Sequence, residues 1–430
     1  MSATQIATPH TSTSSTISRP LAAPTAIQRR WTLAYALYTI ANNASFTQAV
    51  WVIYLYSRGF SPLAIGLFET AFHVAKFLAE VPTGIFADLA GRRKSLIVSC
   101  VVAVVAELLF LWPTAPLMAA SFALSGVAYA FKGGAASALL WTMAERSGAA
   151  DTTRWYSRMF SRMFVVLLLA GTIGTASGGF LAGISPTLPF LMAALAAAVS
   201  IAPLLLLPEQ KVAASARVTP LAHLGAGLRA TWRDPLLLGL LLLSGLTASV
   251  VTTVGYYTQL YFSSLGFSLA AVGLIFAVTV VPDALFAAAA PRIMRRLGRG
   301  RVLALFTAAE ALGLLLMSAR QPWLGLLGFV GLVHVGDAVL YPAISTYLNE
   351  RSPDAQRATV LSLETGLFSA MMIVLFPLFG LGLTHVSFGT LYLGTFAALT
   401  AGSLGIAIAV RAMGRRSFTT EDTEEHGGES

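Results

Sequence analysis

Charge is what this chain has least of. Only 11% of its 430 residues are Asp, Glu, Lys or Arg, where a soluble domain of this size carries about a quarter. Its single cysteine, Cys100, sits in an apolar run, which excludes an internal disulfide framework. The six histidines show no His-x-x-x-His or related spacing, so neither a metal nor an organic cofactor is expected. No glycine-rich nucleotide loop and no nucleophile–base motif is found, which argues against an enzyme. Residues 1–28 hold no acidic residue and no apolar core before a cleavage site. They read as a disordered arm rather than a secretory signal, an organellar transit peptide being the alternative.

What fills the chain instead is apolar sequence. Hydrophobic residues make up 56% of it, and mean hydropathy is +0.74. Twelve apolar runs of about 20 residues, each bounded by charge, Pro or Gly, recur from Trp31 to Met413, the length of helix that crosses a bilayer core. β-Barrel alternation is absent, and otherwise only helices satisfy their backbone in lipid. The reading is an all-α membrane protein with twelve transmembrane helices.

A net charge of +9 can mark a nucleic-acid binder, but its placement argues otherwise. Arg58 and Arg320 fall in loops assigned outside, Lys76 and Lys132 fall inside spans, and the remaining basic residues collect in or near the tails and alternate loops. Positive residues gather on the cytoplasmic side, so both termini are expected there, with the bilayer and no nucleic acid as partner. Residues 414–430, with Glu421-Asp422-Thr423-Glu424-Glu425, read as a solvated cytoplasmic tail.

The chain also repeats. A shift of 207 lays Gly59-Phe60-Ser61 on Gly266-Phe267-Ser268, Gly66-Leu67 on Gly273-Leu274 and Gly91-Arg92 on Gly298-Arg299. A shift of 205 lays Glu145-Arg146-Ser147 on Glu350-Arg351-Ser352. Two related halves, 31–207 and 234–413, are therefore expected, joined by a cytoplasmic linker over 208–233. Leu221, Leu224, Leu228 and Trp232 give that linker helical spacing, which suits either an interfacial amphipathic helix or a plain connector.

Gly84-Ile85-Phe86-Ala87-Asp88-Leu89-Ala90-Gly91-Arg92-Arg93-Lys94 lies between two spans. Its Gly-x-x-x-Asp-x-x-Gly-Arg-Arg pattern resembles the loop between helices 2 and 3 of the major facilitator superfamily of secondary transporters. Glu80-Val81-Pro82-Thr83-Gly84 resembles the approach to that loop in bacterial drug-efflux-like members. The resemblance covers nearly all of residues 31–413. It implies two pseudo-symmetric six-helix bundles in a bacterial inner membrane, working as a monomer. It also implies a cytoplasmic gate made by Gly84, Asp88, Gly91, Arg92 and Arg93, with Asp88 meeting Arg357 at the start of helix 11. The second half keeps no acid there: Pro291 and Arg295 stand at the positions of Gly84 and Asp88. Two features depart from the efflux pattern. Span 5 reads Gly174-Thr175-Ala176-Ser177-Gly178-Gly179, without the family's proline, and helix 4 offers Lys132 in place of an arginine.

Ionisable residues inside a bilayer are functional candidates because burying a charge costs several kcal/mol. Glu69, His73, Lys76 and Glu80 share one stripe of span 2, readable as a cavity face or as a self-satisfied packing ladder. Lys76 aligns with Asp283 and Lys132 with Asp337 under the repeat. All four sit about 18–20 Å from the inner surface at 1.5 Å per residue, near the midplane where such transporters bind cargo and coupling ions. His334 shares the face of Asp337, and Glu364 lies lower in span 11. The family's arrangement implies that Lys132 faces Asp337 and that Glu80 or Lys76 meets Glu364. Glu107 and Glu310 do not align and are given structural roles. Tyr35, Tyr38, Asn42, Tyr256 and Tyr257 are the candidate cavity-lining residues. The expected activity is export of a small amphipathic organic compound by proton antiport, the proton being the coupling ion. The alternatives are a proton symporter for an organic anion and, of another class, a lipid-moving or ligand-sensing protein.

Overall fold

A computed structural model describes residues 26–146, 151–209, 234–352 and 356–426. The expected N-terminal arm up to residue 25 and the linker residues Leu221, Leu224, Leu228 and Trp232 lie outside the described residues. Every regular element described is helical. In chain order these are α1 (Ala26–Asn42, resumed over Trp51–Ser57), α2 (Pro62–Ala90), α3 (Arg92–Leu109), α4 (Ala115–Lys132 and Ala135–Arg146), α5 (Thr152–Ile184) and α6 (Leu188–Leu204). They continue as α7 (Pro235–Ser264), α8 (Leu269–Leu297), α9 (Arg299–Ser318), α10 (Pro322–Arg351), α11 (Arg357–His385) and α12 (Phe388–His426).

Eight helices among the described residues are long and apolar enough to cross a bilayer: α2, α5 and α7 to α12. The other four expected spans fall short of that measure for local reasons. α1 and α4 are interrupted, α6 is short, and α3 carries Arg92, Arg93, Lys94 and Glu107 within 18 residues.

The 207-residue repeat survives in three dimensions. Gly59 and Gly266 share φ values of 89° and 87°, a left-handed conformation open to glycine. Ser61 and Ser268 then cap α2 and α8 by accepting from Ala64 N and Ala271 N at 3.1 and 3.2 Å. Tyr54 donates its hydroxyl to the Phe110 carbonyl, and Tyr261, its repeat mate, donates to Met317, the mate of Phe110. Such matched buried bonds show that the two halves fold by one plan.

α1 to α6 pack on one another, as do α7 to α12, and two seams join the groups: α2 against α11 and α5 against α8. In lipid, helices gain little from hydrophobic burial and associate through close packing and polar contacts. Glycines therefore set the seams. A methyl on Gly66 would fall 2.5 Å from Pro377 Cα, and one on Gly179 would fall 2.9 Å from Gly273 Cα. Gly66 and Gly273 are repeat mates, so both seams rest on one ancestral small residue. On the axis between them, the Gln259 side chain accepts from Val52 N at 3.0 Å and donates to Gln48 O at 2.9 Å. Val52 and Gln259 occupy equivalent positions, as contacts on a pseudo-twofold axis must. All these contacts lie at the end of the molecule carrying the Ser61 and Ser268 caps. At the opposite, basic end the ion pairs among the described residues stay within one group: Arg93–Glu209, Arg299–Glu350 and Arg351–Asp234. The molecule is closed at its capped end.

Besides one-residue interruptions at Ser200 of α6 and Thr279 of α8, three helices depart further from regularity. α1 unwinds over residues 43–50, α4 breaks at Gly133-Gly134 with Gly134 at φ 69°, and α10 takes a π-helical course over Leu327–Val333. Non-helical backbone at membrane depth persists only where protein or trapped water satisfies it. The unwound stretch of α1 lies directly on α5: Gly174 faces Ala44 and Ser45, and Gly178 faces the Phe46 backbone. The glycine run of span 5 thus seats a broken helix on one face and meets α8 with Gly179.

Valine at Gly179 should wedge the α5–α8 seam apart. In a Cys100→Ser background, a cysteine at Arg58 should then label faster with a membrane-impermeant maleimide. An unchanged rate would remove this seam from the closure.

Candidate functional site

The broken helices meet around a cavity of about 460 Å³ bounded by α1, α4 and α5. Its floor is the end of the first α4 segment. There Lys132 donates from Nζ to Asn43 Oδ1 at 3.1 Å, a contact between the break of α4 and the break of α1. Lys132 closes a helix C-terminus, where partial negative charge favours a cation. Ala136 and Ser137, which open the next segment, also line the cavity, and the first backbone N–H groups of a helix lack intrahelical acceptors. Tyr35 donates to Ala136 O at 3.1 Å and lies 5.8 Å from Tyr38, ring to ring, so both aromatics stand on the wall. Phe160, Met163 and Phe164 of α5 supply the apolar side, and no acidic residue lines the space. Chemically this is an amphipathic pocket with one cation and a helix N-terminus.

Further acids, besides Glu69 and Glu80 of α2, stand in the second group. Asp283 of α8 holds His334 Nδ1 at 3.1 and 3.2 Å from its two oxygens, and half-buried Asp337 follows three residues later. Glu364 of α11 accepts from the Ser244 hydroxyl at 2.6 Å. The mirrored lysine–aspartate positions do not join: among the described residues no ion pair links Lys132 to Asp337 or Lys76 to Asp283. Lys76 lies over the Tyr129 ring, 4.9 Å from its centroid. Lys76, Lys132 and Asp283 each have a partner in their own group, and the close contacts between the groups lie toward the capped end. Glu364 likewise meets Ser244 rather than Glu80 or Lys76.

The span 2 stripe divides at that level. Glu69 and His73 are buried and 3.5 Å apart, His73 packing edge-on to Phe368 of α11, whereas Glu80 is exposed. Tyr256 and Tyr257 lie in the closure rather than on the cavity wall. Tyr256 packs against Trp51 and Phe376, and Tyr257 donates to Pro62 O at 2.7 Å. Asn42 also leaves the wall, its amide reaching Cys100 Sγ at 3.7 Å. Unwinding after Asn42 is what turns the neighbouring Asn43 toward Lys132.

At the basic end Gly91, at φ 109°, makes the turn between α2 and α3. Arg93 is tied to Glu209 through Nε at 3.3 Å and through its backbone N–H at 3.2 Å, and to Leu207 O at 2.9 Å. Gly84 has open space beside its Cα, Arg92 is half-buried, and Asp88 and Arg357 are exposed. Asp88 joins no ion pair among the described residues, so the expected Asp88–Arg357 latch is not formed in this conformation. In the other group Asp234 caps α7 and accepts from Arg351 Nε at 2.6 Å. Sequence reasoning missed Asn43, Glu209 and Gln259. Gln259 was within reach, being the repeat mate of Val52; Asn43 was hidden because nothing in its neighbours announces a break.

Asn43→Ala and Lys132→Met should each lower thermal stability and should couple by about 1.5–3 kcal/mol, the worth of a hydrogen bond to a charged group. Lys132→Met and Asp337→Asn should add within about 0.5 kcal/mol. The reverse pattern in unfolding of detergent-purified variants would place Lys132 across the cavity after all.

The chain is similar to a known bacterial protein and to several solved ones. It is 25% identical over 352 residues to the uncharacterized MFS-type transporter YxaM of Bacillus subtilis (strain 168), covering 77% of this chain and 84% of that one. Its fold superposes on a mutant of the nucleoside transporter NupG with a TM-score of 0.71 at 17% identity, over 90% of this chain and 99% of that one. A D-xylose-proton symporter matches with a TM-score of 0.66 at 15% identity, over 89% and 96%. Residues 44–375 match the model of the MFS_1 like family, and the chain belongs to that family, as a membrane transporter of the major facilitator superfamily.

Proposed function

We propose that this transporter is a proton-coupled exporter of a small amphipathic organic compound, working as a monomer in the bacterial inner membrane by alternating access. In this reading all twelve helical runs span the bilayer, six in each bundle, and the basic end faces the cytoplasm. The conformation described above is then open inward and closed outward. The observation that carries the proposal is that the pocket and one set of ionisable residues lie in different bundles. The cargo-sized pocket belongs to the first bundle and offers Lys132, two tyrosines and a helix N-terminus, while Asp283, His334, Asp337 and Glu364 stand in the second. Separate places for cargo and proton let one bias the bundles against the other, which is what coupling requires. Export follows from the likeness of Glu80–Gly84 to efflux members. A second reading, uptake of an organic anion by proton symport, is favoured by the absence of any acid around Lys132.

Rearrangement to the outward-open state would part the Gly66–Pro377 and Gly179–Gly273 contacts and break both Gln259 hydrogen bonds. It would bring the basic ends together, where Asp88 gains Arg357 and the N-terminus of α11 as partners.

Proteoliposomes carrying a pH dye and screened with amphipathic compounds, organic anions included, test the reading. Antiport gives cargo and proton fluxes of opposite direction, and symport gives fluxes of the same direction. Lys132→Met should weaken apparent affinity for an anionic cargo about tenfold or more, the equivalent of roughly 1.4 kcal/mol. Cargo movement indifferent to a proton gradient and to protonophore would sink proton coupling.

A further inference from the structure

On α9, in the second group, lies an acid that none of these contacts uses. Glu310 is 1% exposed, and both its carboxyl oxygens are buried without a hydrogen-bond partner. It is shut in by a glycine: a methyl on Gly336 of α10 would fall 2.5 Å from Glu310 Cγ. Asp337 is the next residue of α10 after Gly336, and three residues before it His334 pairs with Asp283. Ionisable groups thus run from α8 through α10 to α9.

Among the described residues nothing else against Glu310 could hold its charge. α12, also packed on α9, brings Thr400 and Ser403 and no charged residue before Arg411. Pro322–Leu326 and the π-helical stretch are wholly uncharged. Thr307, one turn away on α9, has its own buried hydroxyl unpartnered. An ionised carboxylate here, without a cation or donor, costs more than folding stability can absorb, so the group takes a proton.

An irregular element adjoins the site. The π-helical stretch Leu327–Val333 ends at His334 and rests on α9 through Gly328 against Gly313. Converting a π turn to an α turn shifts the register by one residue, which rotates the following face by roughly 100°. His334 and Asp337 would then swing relative to Glu310.

We infer that Glu310 is a proton-storage site: it holds a proton in this conformation and exchanges it through Asp337, His334 and Asp283 when the π stretch rearranges. In that transfer the Glu310 O–H bond breaks as an O–H bond forms on the Asp337 carboxylate, with no other reactant. The inference rests on the proton-coupled reading and names where the proton waits.

Infrared spectroscopy of the full-length protein in lipid nanodiscs, at neutral pH and with no cargo, tests it. The wild-type minus Glu310→Gln difference spectrum should contain a protonated-carboxyl C=O band that shifts on transfer to D2O. Asp337→Asn should slow that shift at least tenfold. Absence of the band, or a D2O shift as fast in Asp337→Asn as in wild type, overturns the proposal. Should Glu310→Gln fail to fold, Glu310→Asp serves, and a band unmoved by that change overturns it equally. Cargo-driven proton flux absent from wild type, with band and slowed exchange intact, would sink the coupling reading and leave the storage site standing.

Discussion

Inside hydrocarbon a backbone N–H or C=O without a partner costs several kcal/mol, and the structure is organised by that one penalty. It forces helix throughout and makes each departure from helix depend on specific cover. The unwound stretch of α1 is covered by Gly174 and Gly178 of α5. The broken end of α4 is met by Asn43 and Tyr35. The π stretch of α10 is held on α9 by Gly313 and Gly328. Around those three irregular places lie the cavity, its lysine and the acids of the second group. Sites form there because broken helices alone bring free backbone dipoles and short polar side chains to mid-depth together.

Duplication provides the frame, and divergence separates the two halves at mid-depth. Repeat mates keep the same glycine turns, serine caps and tyrosine–carbonyl bonds at the capped end, where geometry must close the molecule. Mid-depth positions have diverged in charge: lysines in one half stand where the other has aspartates. With no ion pair joining them among the described residues, that opposition serves local contacts within each group rather than a single bridge. α1 and α7 show the same divergence in backbone, one broken after Asn42 and the other continuous from Pro235 to Ser264.

Much of this was legible in the sequence. Apolar run length gave the helices, and the 207-residue offset placed Gly59, Ser61, Gly91 and their mates where the backbone repeats. The residues that proved hard to place were those next to irregular backbone. On a helical wheel Asn42 shares the face of Tyr35 and Tyr38 and Asn43 points about 100° away, an assignment that fails once the helix stops between them. Tyr256 looks like a cavity wall until α11 covers it with Phe376. Glu310 was set aside because it has no repeat mate, yet burial by Gly336, a contact between two helices, is what isolates it. Such features arise from helix–helix distances of a few ångströms, which periodicity does not encode.

The central claim is that the two helix groups exchange closure at the capped end for closure at the basic end as protons are taken up and released. Pulsed electron–electron spin distance measurements between labels at Arg58 and Gln321, across the capped end, and at Lys94 and Arg296, across the basic end, test it directly in nanodiscs. Alternating access predicts two populations at each end whose weights move in opposite directions between acidic and alkaline pH. A single distance at both ends that ignores pH, or shifts of the same sign at both, would contradict it.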